Sequence, residues 1–273
     1  MSVRPVAPRA VSASVTWLTD YARQTTAIAQ VELRKLGRDP TELFTRAVQP
    51  ALWLTVFGQV FGRLRGIPTG GMSYLAFMAP GILAQSVLFV AIFYGIIVIW
   101  ERDLGLLQKQ LVTPAARSAL VLGKGLSAGI RGIAQAVIVY AIALLMGIPL
   151  QFSPWAIVLV LVFVVLGSAL FSTFSLVIAC LMKTRERFMG IGQVLTMPMF
   201  FASNAIYPLA MMPGWLRAIA AVNPLSYEVD ALRALMVQGG SSVFGLGVDF
   251  GLLAIGLVVL VLLAARLYPN VVV

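Results

Sequence analysis

The chain has no histidine and one cysteine, Cys180, among its 273 residues. Those two shortages exclude an intrachain disulfide, His/Cys metal sites and Ser-His-Asp catalysis. Charge is scarce as well. Only 11% of residues are charged and 60% are hydrophobic, whereas a soluble domain carries roughly 25% charged residues. The scarcity is concentrated: no Asp, Glu, Lys or Arg occurs from Gly66 to Trp100 or from Gly132 to Met182. Such runs exceed the roughly 20 residues that cross the hydrocarbon of a bilayer, so the chain is read as an integral membrane protein. Residues 1–46 have the opposite shortage. They are charged and contain no apolar core, so no cleavable signal peptide is expected.

What charge there is runs basic, with a formal net charge of +10. Such an excess can signal nucleic acid, but its distribution argues otherwise. Run lengths divide the chain into six spans, at about 45–64, 73–100, 118–147, 153–182, 188–206 and 249–268. With these spans, all of the 20 basic residues except Arg63, Arg65, Arg217 and Arg233 fall at or near one side. The bias follows the positive-inside rule and predicts a multi-pass protein of the cell (cytoplasmic) membrane, with N-terminus, central loop and C-terminus cytoplasmic. The expected class is therefore all-α.

Three segments between the spans stand out. From Trp17 to about Arg38 an apolar face with an arginine flank predicts an amphipathic helix in the membrane interface. It belongs to a cytoplasmic segment 1–44 that precedes a transmembrane domain over 45–268, with a cytoplasmic tail at 269–273. The loop 101–117 is a polar island between apolar stretches. Leu104, Leu107 and Leu111 recur there at helical spacing, and Thr113-Pro114 gives a cap followed by proline where a new helix starts. Two readings of that loop stand: a surface helix on which a partner pushes, or a solvated connector. The third segment, 206–238, falls outside yet is mostly apolar, and Pro208, Pro213 and Pro224 divide it. Asn223-Pro224 predicts a helix to Gln238 in which Asp230 and Arg233, at i,i+3, can pair. A segment that greasy is expected to form short helices dipping into the outer leaflet.

Within the spans, Arg131 is expected to snorkel toward the cytoplasmic surface. Gln59, Gln85, Gln135, Gln193 and Asn204 are expected to hydrogen-bond between helices rather than hold substrate. Phe57, Met197, Phe200 and Phe201 offer bulky, adaptable apolar surface and mark a candidate path for a lipophilic substrate. Ordinary packing explains such clusters more often than a substrate path does.

The runs Arg38-Asp39-Pro40, Gln49-Pro50 and Phe57-Gly58 resemble the start of the first span in type-2 ABC (ABC-2) exporter permeases. Glu101-Arg102, Gly105, Leu107, Leu111, Thr113-Pro114, Arg117 and Gly123-Lys124 resemble that family's coupling-helix loop. Asn204, Tyr207-Pro208, Pro213-Gly214-Trp215, Asn223-Pro224, Tyr227, Asp230 and Arg233 resemble its extracellular re-entrant signature. The matches run in order over about 38–233, and the chain looks most like the DrrB-like drug and lipid export branch.

The resemblance implies a half-transporter. Two six-span permeases, identical or paralogous, form the pathway, and two copies of a separate ABC ATPase dock beneath them. It assigns coupling to Glu101, Arg102, Gly105, Leu107, Leu111, Pro114 and Arg117. ATP and Mg would reside in the ATPase and no cofactor in this chain. The residues agree on one point: a phosphate-cradling loop needs G-x-x-x-x-G-K-[ST]. The nearest approach, Gly123-Lys124, is followed by Gly125, and Ser118 stands in the first glycine position. Two rival classes are a membrane-embedded lipid-modifying enzyme, which needs convergent acid/base or metal groups, and a scaffold subunit. Within the family, a polysaccharide or glycolipid exporter is the alternative to a drug or lipid exporter.

Overall fold

The computed structural model describes residues 40–63, 68–105, 117–182 and 184–267. The expected interfacial helix, the loop positions Leu107, Leu111 and Pro114, and the C-terminal tail lie outside the described residues.

Among the described residues, four helices are long and apolar enough to cross a membrane. They are α3 (Tyr74–Asp103), α4 (Arg117–Leu145), α5 (Pro154–Leu181) and α9 (Leu246–Leu267). Their limits follow local chemistry. Ser73 caps α3 by accepting from the Ala76 N–H at 3.2 Å, and Pro154 opens α5 at a position where its missing N–H costs nothing. Ser153, expected as the α5 cap, makes no side-chain cap hydrogen bond.

The first expected span is a composite. Helix α1 (Pro40–Leu52) starts on its proline, about five residues earlier than run length implied. It widens into a π-helical turn at Trp53–Phe57 and continues as α2 (Gly58–Gly62). Pro50 is the local cause of the irregularity, because it has no N–H to donate to the Arg46 carbonyl. Gln135 on α4 donates its side-chain amide to that carbonyl instead, at 3.3 Å. The fifth expected span is α6 (Arg185–Phe201), of 17 residues, which ends five residues earlier than expected.

Helices α3 and α5 form the centre. Small residues on α4 let it approach α5 closely: Gly125, Gly129 and Gly132 face Ala169, Val165 and Ser168. In lipid, packing of this kind replaces water exclusion as the force between helices. At one end of the bundle, a 3₁₀ turn (Leu209–Met211), α7 (Gly214–Val222) and α8 (Pro224–Met236) fill the space between α6 and α9 in sequence. Nearly every residue of α8 is buried, including Leu232. Its end is tied to the α4–α5 loop by Gln151 N–H to Met236 O and Gln238 N–H to Pro149 O, both 2.9 Å.

The first and fifth expected spans are covered far less. Helix α6 buries one i,i+4 stripe, Phe188, Gly192, Thr196 and Phe200. The α1–α2 run buries Pro50, Leu54 and Gly58. Both are half-covered.

Candidate functional site

The end of the bundle that carries the central loop is organised by charge. Glu101 pairs with Lys124 of α4. Asp103 accepts from Arg185 of α6, with N–O distances of 2.9 and 2.8 Å, and from Arg102 at 3.1 Å. Arg102 also donates to the Met182 carbonyl at 3.2 Å, and Arg185 lies over the Trp100 ring. The last turn of α3 is thereby pinned to α4 and α6. Glu101 and Arg102, expected to face an ATPase, are held by partners within the chain.

Glu101 to Asp103 continue α3 and do not open a new helix. Gly105, at φ +68°, ends that helix in the left-handed conformation that glycine adopts without strain. Leu104 beside it is 71% exposed. Arg117 begins α4. Gly123, Lys124 and Gly125 lie inside α4, where backbone N–H groups serve the helix ladder and cannot cradle a phosphate.

The opposite end is organised by buried polar groups that satisfy backbone. The Asn223 side chain accepts from Leu225 N–H at 3.1 Å, capping α8. Its amide donates to Met199 O and Ala202 O, at 2.6 and 3.1 Å. Those carbonyls lie at the end of α6, where a helix leaves acceptors unsatisfied. Tyr227 donates to Ala221 O and Tyr74 to Ile206 O. Pro208 precedes the 3₁₀ turn, Pro213 precedes α7, and Pro224 is the first residue of α8. Trp215 stands exposed on α7.

Asp230 and Arg233 do not pair, contrary to the i,i+3 expectation. Arg233 donates to Asn204 O at 2.6 Å and Phe77 O at 3.3 Å, with its guanidinium 3.8 Å from the Phe77 ring centre. Asp230 accepts from Ser242 Oγ and Val243 N–H at 2.7 Å, and from Phe244 N–H at 3.0 Å. A loop full of backbone donors outcompetes the neighbouring cation.

Three acidic residues were missed as a group. Asp249, buried at the start of α9, faces Ser242 at 3.1 Å, so one serine hydroxyl stands between two carboxylates. Glu228 is 0% exposed, and neither carboxyl oxygen has a hydrogen-bond partner among the described residues. It rests on Gly167 of α5, where a Cβ would overlap the carboxyl. Burial pushes the Glu228 carboxyl well above the usual carboxylate range. Nothing in the spacing of 228, 230, 242 and 249 joins them. Among the described residues no group of three or more His, Cys, Asp or Glu could hold a metal ion.

Of the five amides expected to bridge helices, Gln135 does so. Gln59 and Gln193 are exposed, and the side chains of Gln85 and Asn204 are buried without a hydrogen-bond partner among the described residues. Arg131 stacks its guanidinium over the Tyr94 ring at 5.3 Å.

The candidate substrate-path residues are partly brought together. Trp53 stacks on Phe57 at 4.4 Å and meets Phe200 edge-on at 5.4 Å, and Phe200 adjoins Phe201. Phe61 and Tyr74 extend the chain of rings. Phe200 is fully buried, while Phe57 and Phe201 keep exposed faces. Met197 lines a cavity of about 250 Å³ between α3 and α6, with Phe93, Ile96, Phe188 and Met189. Aromatic contact therefore joins α1–α2 to α6 at the motif end, and a cavity opens between α3 and α6 toward the charged end.

A family profile described as ABC-2 type transporter matches residues 23–237. The chain belongs to the ABC-2 type transporter family. A protein named as a transport permease, ycf38, of Cyanophora paradoxa is 30% identical over 207 residues, covering 74% of this chain and 70% of that one. The daunorubicin resistance ABC transporter permease protein DrrB1 of Streptomyces coeruleorubidus is 26% identical over 232 residues, or 85% and 81% of the two chains. The inner membrane transport permease YadH of Escherichia coli K12 is 26% identical over 195 residues, or 68% and 73%. This ABC-2 chain is thus a membrane protein of a transport permease family.

Proposed function

We propose that this ABC-2 chain is the permease subunit of an ATP-driven exporter that moves a lipophilic or amphiphilic cargo outward across the cytoplasmic membrane. Two permeases would form the pathway, and two separate ATPase subunits would act through residues 101–117 and the N-terminal segment, with both termini cytoplasmic. The segment 206–238 would dip into the outer leaflet, buried against the spans. The observation that carries the reading is the uneven cover of the helices. Helix α3 is largely enclosed, while α1–α2 and α6 each bury a single stripe and leave apolar faces bare. Those faces and the cavity beside Met197 suit a second permease and a cargo between the two.

Two further points support it. The cavity walls carry Phe, Ile and Met, not the ladder of exposed Trp and Tyr that suits a long sugar chain. A relative named for daunorubicin resistance covers most of the chain, which favours a lipophilic cargo. The charge pairs around Asp103 place the ends of α3, α4 and α6 in one cluster, through which a push on the loop reaches three helices at once.

The test is ATP-dependent transport by vesicles holding this chain with its ATPase. Leu107→Asp, which puts a charge on the leucine face of the loop, should abolish stimulated hydrolysis while the chain still inserts. Lys109→Glu, off that face, should leave it intact. Full transport by the Leu107→Asp protein would overturn the coupling role of the loop. ATP hydrolysis by this chain purified free of ATPase would overturn the division of labour.

A further inference from the structure

Two-thirds of the way along α3, a serine of α5 is bonded to the helix backbone. Ser175, fully buried, accepts from the Gly95 N–H at 3.1 Å and donates to the Ile92 carbonyl. One hydroxyl thus offers a further partner to a donor and an acceptor of the same α3 turn. A Cβ on Gly95 would overlap both the Ser175 hydroxyl and the Phe188 ring. Glycine weakens a helix interior, and a hydroxyl that takes up backbone groups lets a membrane helix bend without stranding them.

The cover of α3 changes at the same point. Toward Tyr74 nearly every residue is buried, whereas Trp100 and Leu104 beyond Gly95 are exposed. Residues 96–103 form an arm about 12 Å long. Its tip carries Glu101 and Asp103, paired with Lys124 and Arg185. Ile99 on the arm shares a buried cluster with Phe188, so the start of α6 is tied to it as well. The cavity beside Met197 straddles the junction. Ile92 and Phe93 line it before Gly95, Ile96 lines it after, and Phe188 and Met189 line it from α6.

We infer that Gly95 and Ser175 form a hinge about which the arm 96–103 swings, and that the swing changes the width of this cavity. Ser175 is a positioning residue that keeps the Gly95 N–H and the Ile92 carbonyl bonded as the ladder opens. The inference rests on the permease reading and names the place where a push on the central loop reaches the cargo cavity.

The test measures spin-label distances in the full chain in nanodiscs, without ATPase, in a Cys180→Ala background. One label pair, Leu104→Cys with Leu263→Cys, reports the arm against α9. A second, Trp155→Cys with Trp215→Cys, reports the motif end. Glu101→Gln with Asp103→Asn removes both ion pairs at the tip. A second arm distance should then appear, shifted by about 4 Å for a tilt of about 20°, while the motif-end distance stays fixed. Ser175→Ala in the released chain should cut the shifted population about fivefold, the change that one net hydrogen bond supplies. Gly95→Ala, which adds a methyl where Ser175 adds a hydroxyl, should also cut it, so the result does not depend on one variant folding. A single arm distance in the released chain, a shifted population undiminished by either substitution, or an equal shift of the motif-end pair would overturn the hinge. Failure of this assay removes the hinge alone, and failure of the transport assay removes the permease reading.

Discussion

The two ends of the bundle use polar residues in opposite ways. At the charged end, Asp103, Arg102 and Arg185 are one-fifth to nearly half exposed and pair with one another. At the motif end, Asn223, Asp230 and Arg233 are buried and bond mainly to backbone. Exposed ion pairs are worth about 0–1 kcal/mol, whereas leaving one buried backbone group unsatisfied costs about 1–3 kcal/mol. The difference suits the proposed division of labour. An end that must shift under a push is held by cheap, exchangeable contacts, and an end that must stay sealed is held by contacts that are expensive to lose.

The largest expected effect breaks the motif end. Arg233→Met keeps much of the apolar stem but orphans the carbonyls of Asn204 and Phe77. It should destabilise by about 3 kcal/mol, seen as a lower unfolding midpoint in detergent. A midpoint unchanged from wild type would mean that this end is not held by Arg233. Gly167→Ala comes next, because the added methyl meets the Glu228 carboxyl. Overpacking of this kind costs about 1–3 kcal/mol, and Glu228→Ala in the same chain should recover part of it. No recovery would show that the contact between α5 and α8 is not the source.

The third effect depends on pH. The folded state holds the Glu228 carboxyl well above the ordinary carboxylate range. Its contribution is therefore fully present below the ordinary carboxylate pKa and is lost as pH rises toward the folded value. Above the ordinary pKa the wild type should lose stability by up to about 1.4 kcal/mol per pH unit. Glu228→Gln should lack this dependence, and parallel pH profiles would sink the idea. The smallest effect is at the charged end. Asp103→Asn should shift stability by about 0–1 kcal/mol, yet it should weaken stimulated ATPase activity if the cluster carries motion. A loss as large as that of Arg233→Met would erase the contrast between the two ends.

Several features were legible in the residues because each has a local cause. The charge-free runs from Gly66 to Trp100 and from Gly132 to Met182 predicted α3 to α5 closely, since length and apolarity suffice to define a span. Asn223-Pro224 predicted the start of α8, because a cap and a first-turn proline act within one turn. The first and fifth spans were read less well. Pro50 and the π-helical turn divide one, and the other stops at Ala202, where the Asn223 side chain takes up its last carbonyls.

The sequence alone determined that this is an all-helical membrane chain. It also determined where most helices start, because hydropathy, proline and capping act on neighbours in the chain. Tertiary structure decided which partner each polar group takes. Asp230 and Arg233 sit three residues apart on one helix and still do not pair. Asp230 instead meets the backbone of Val243 and Phe244, and Arg233 reaches 156 residues back to Phe77. Spacing along a helix says what a side chain can reach on that helix, but only packing says what else is nearer and already short of a hydrogen bond.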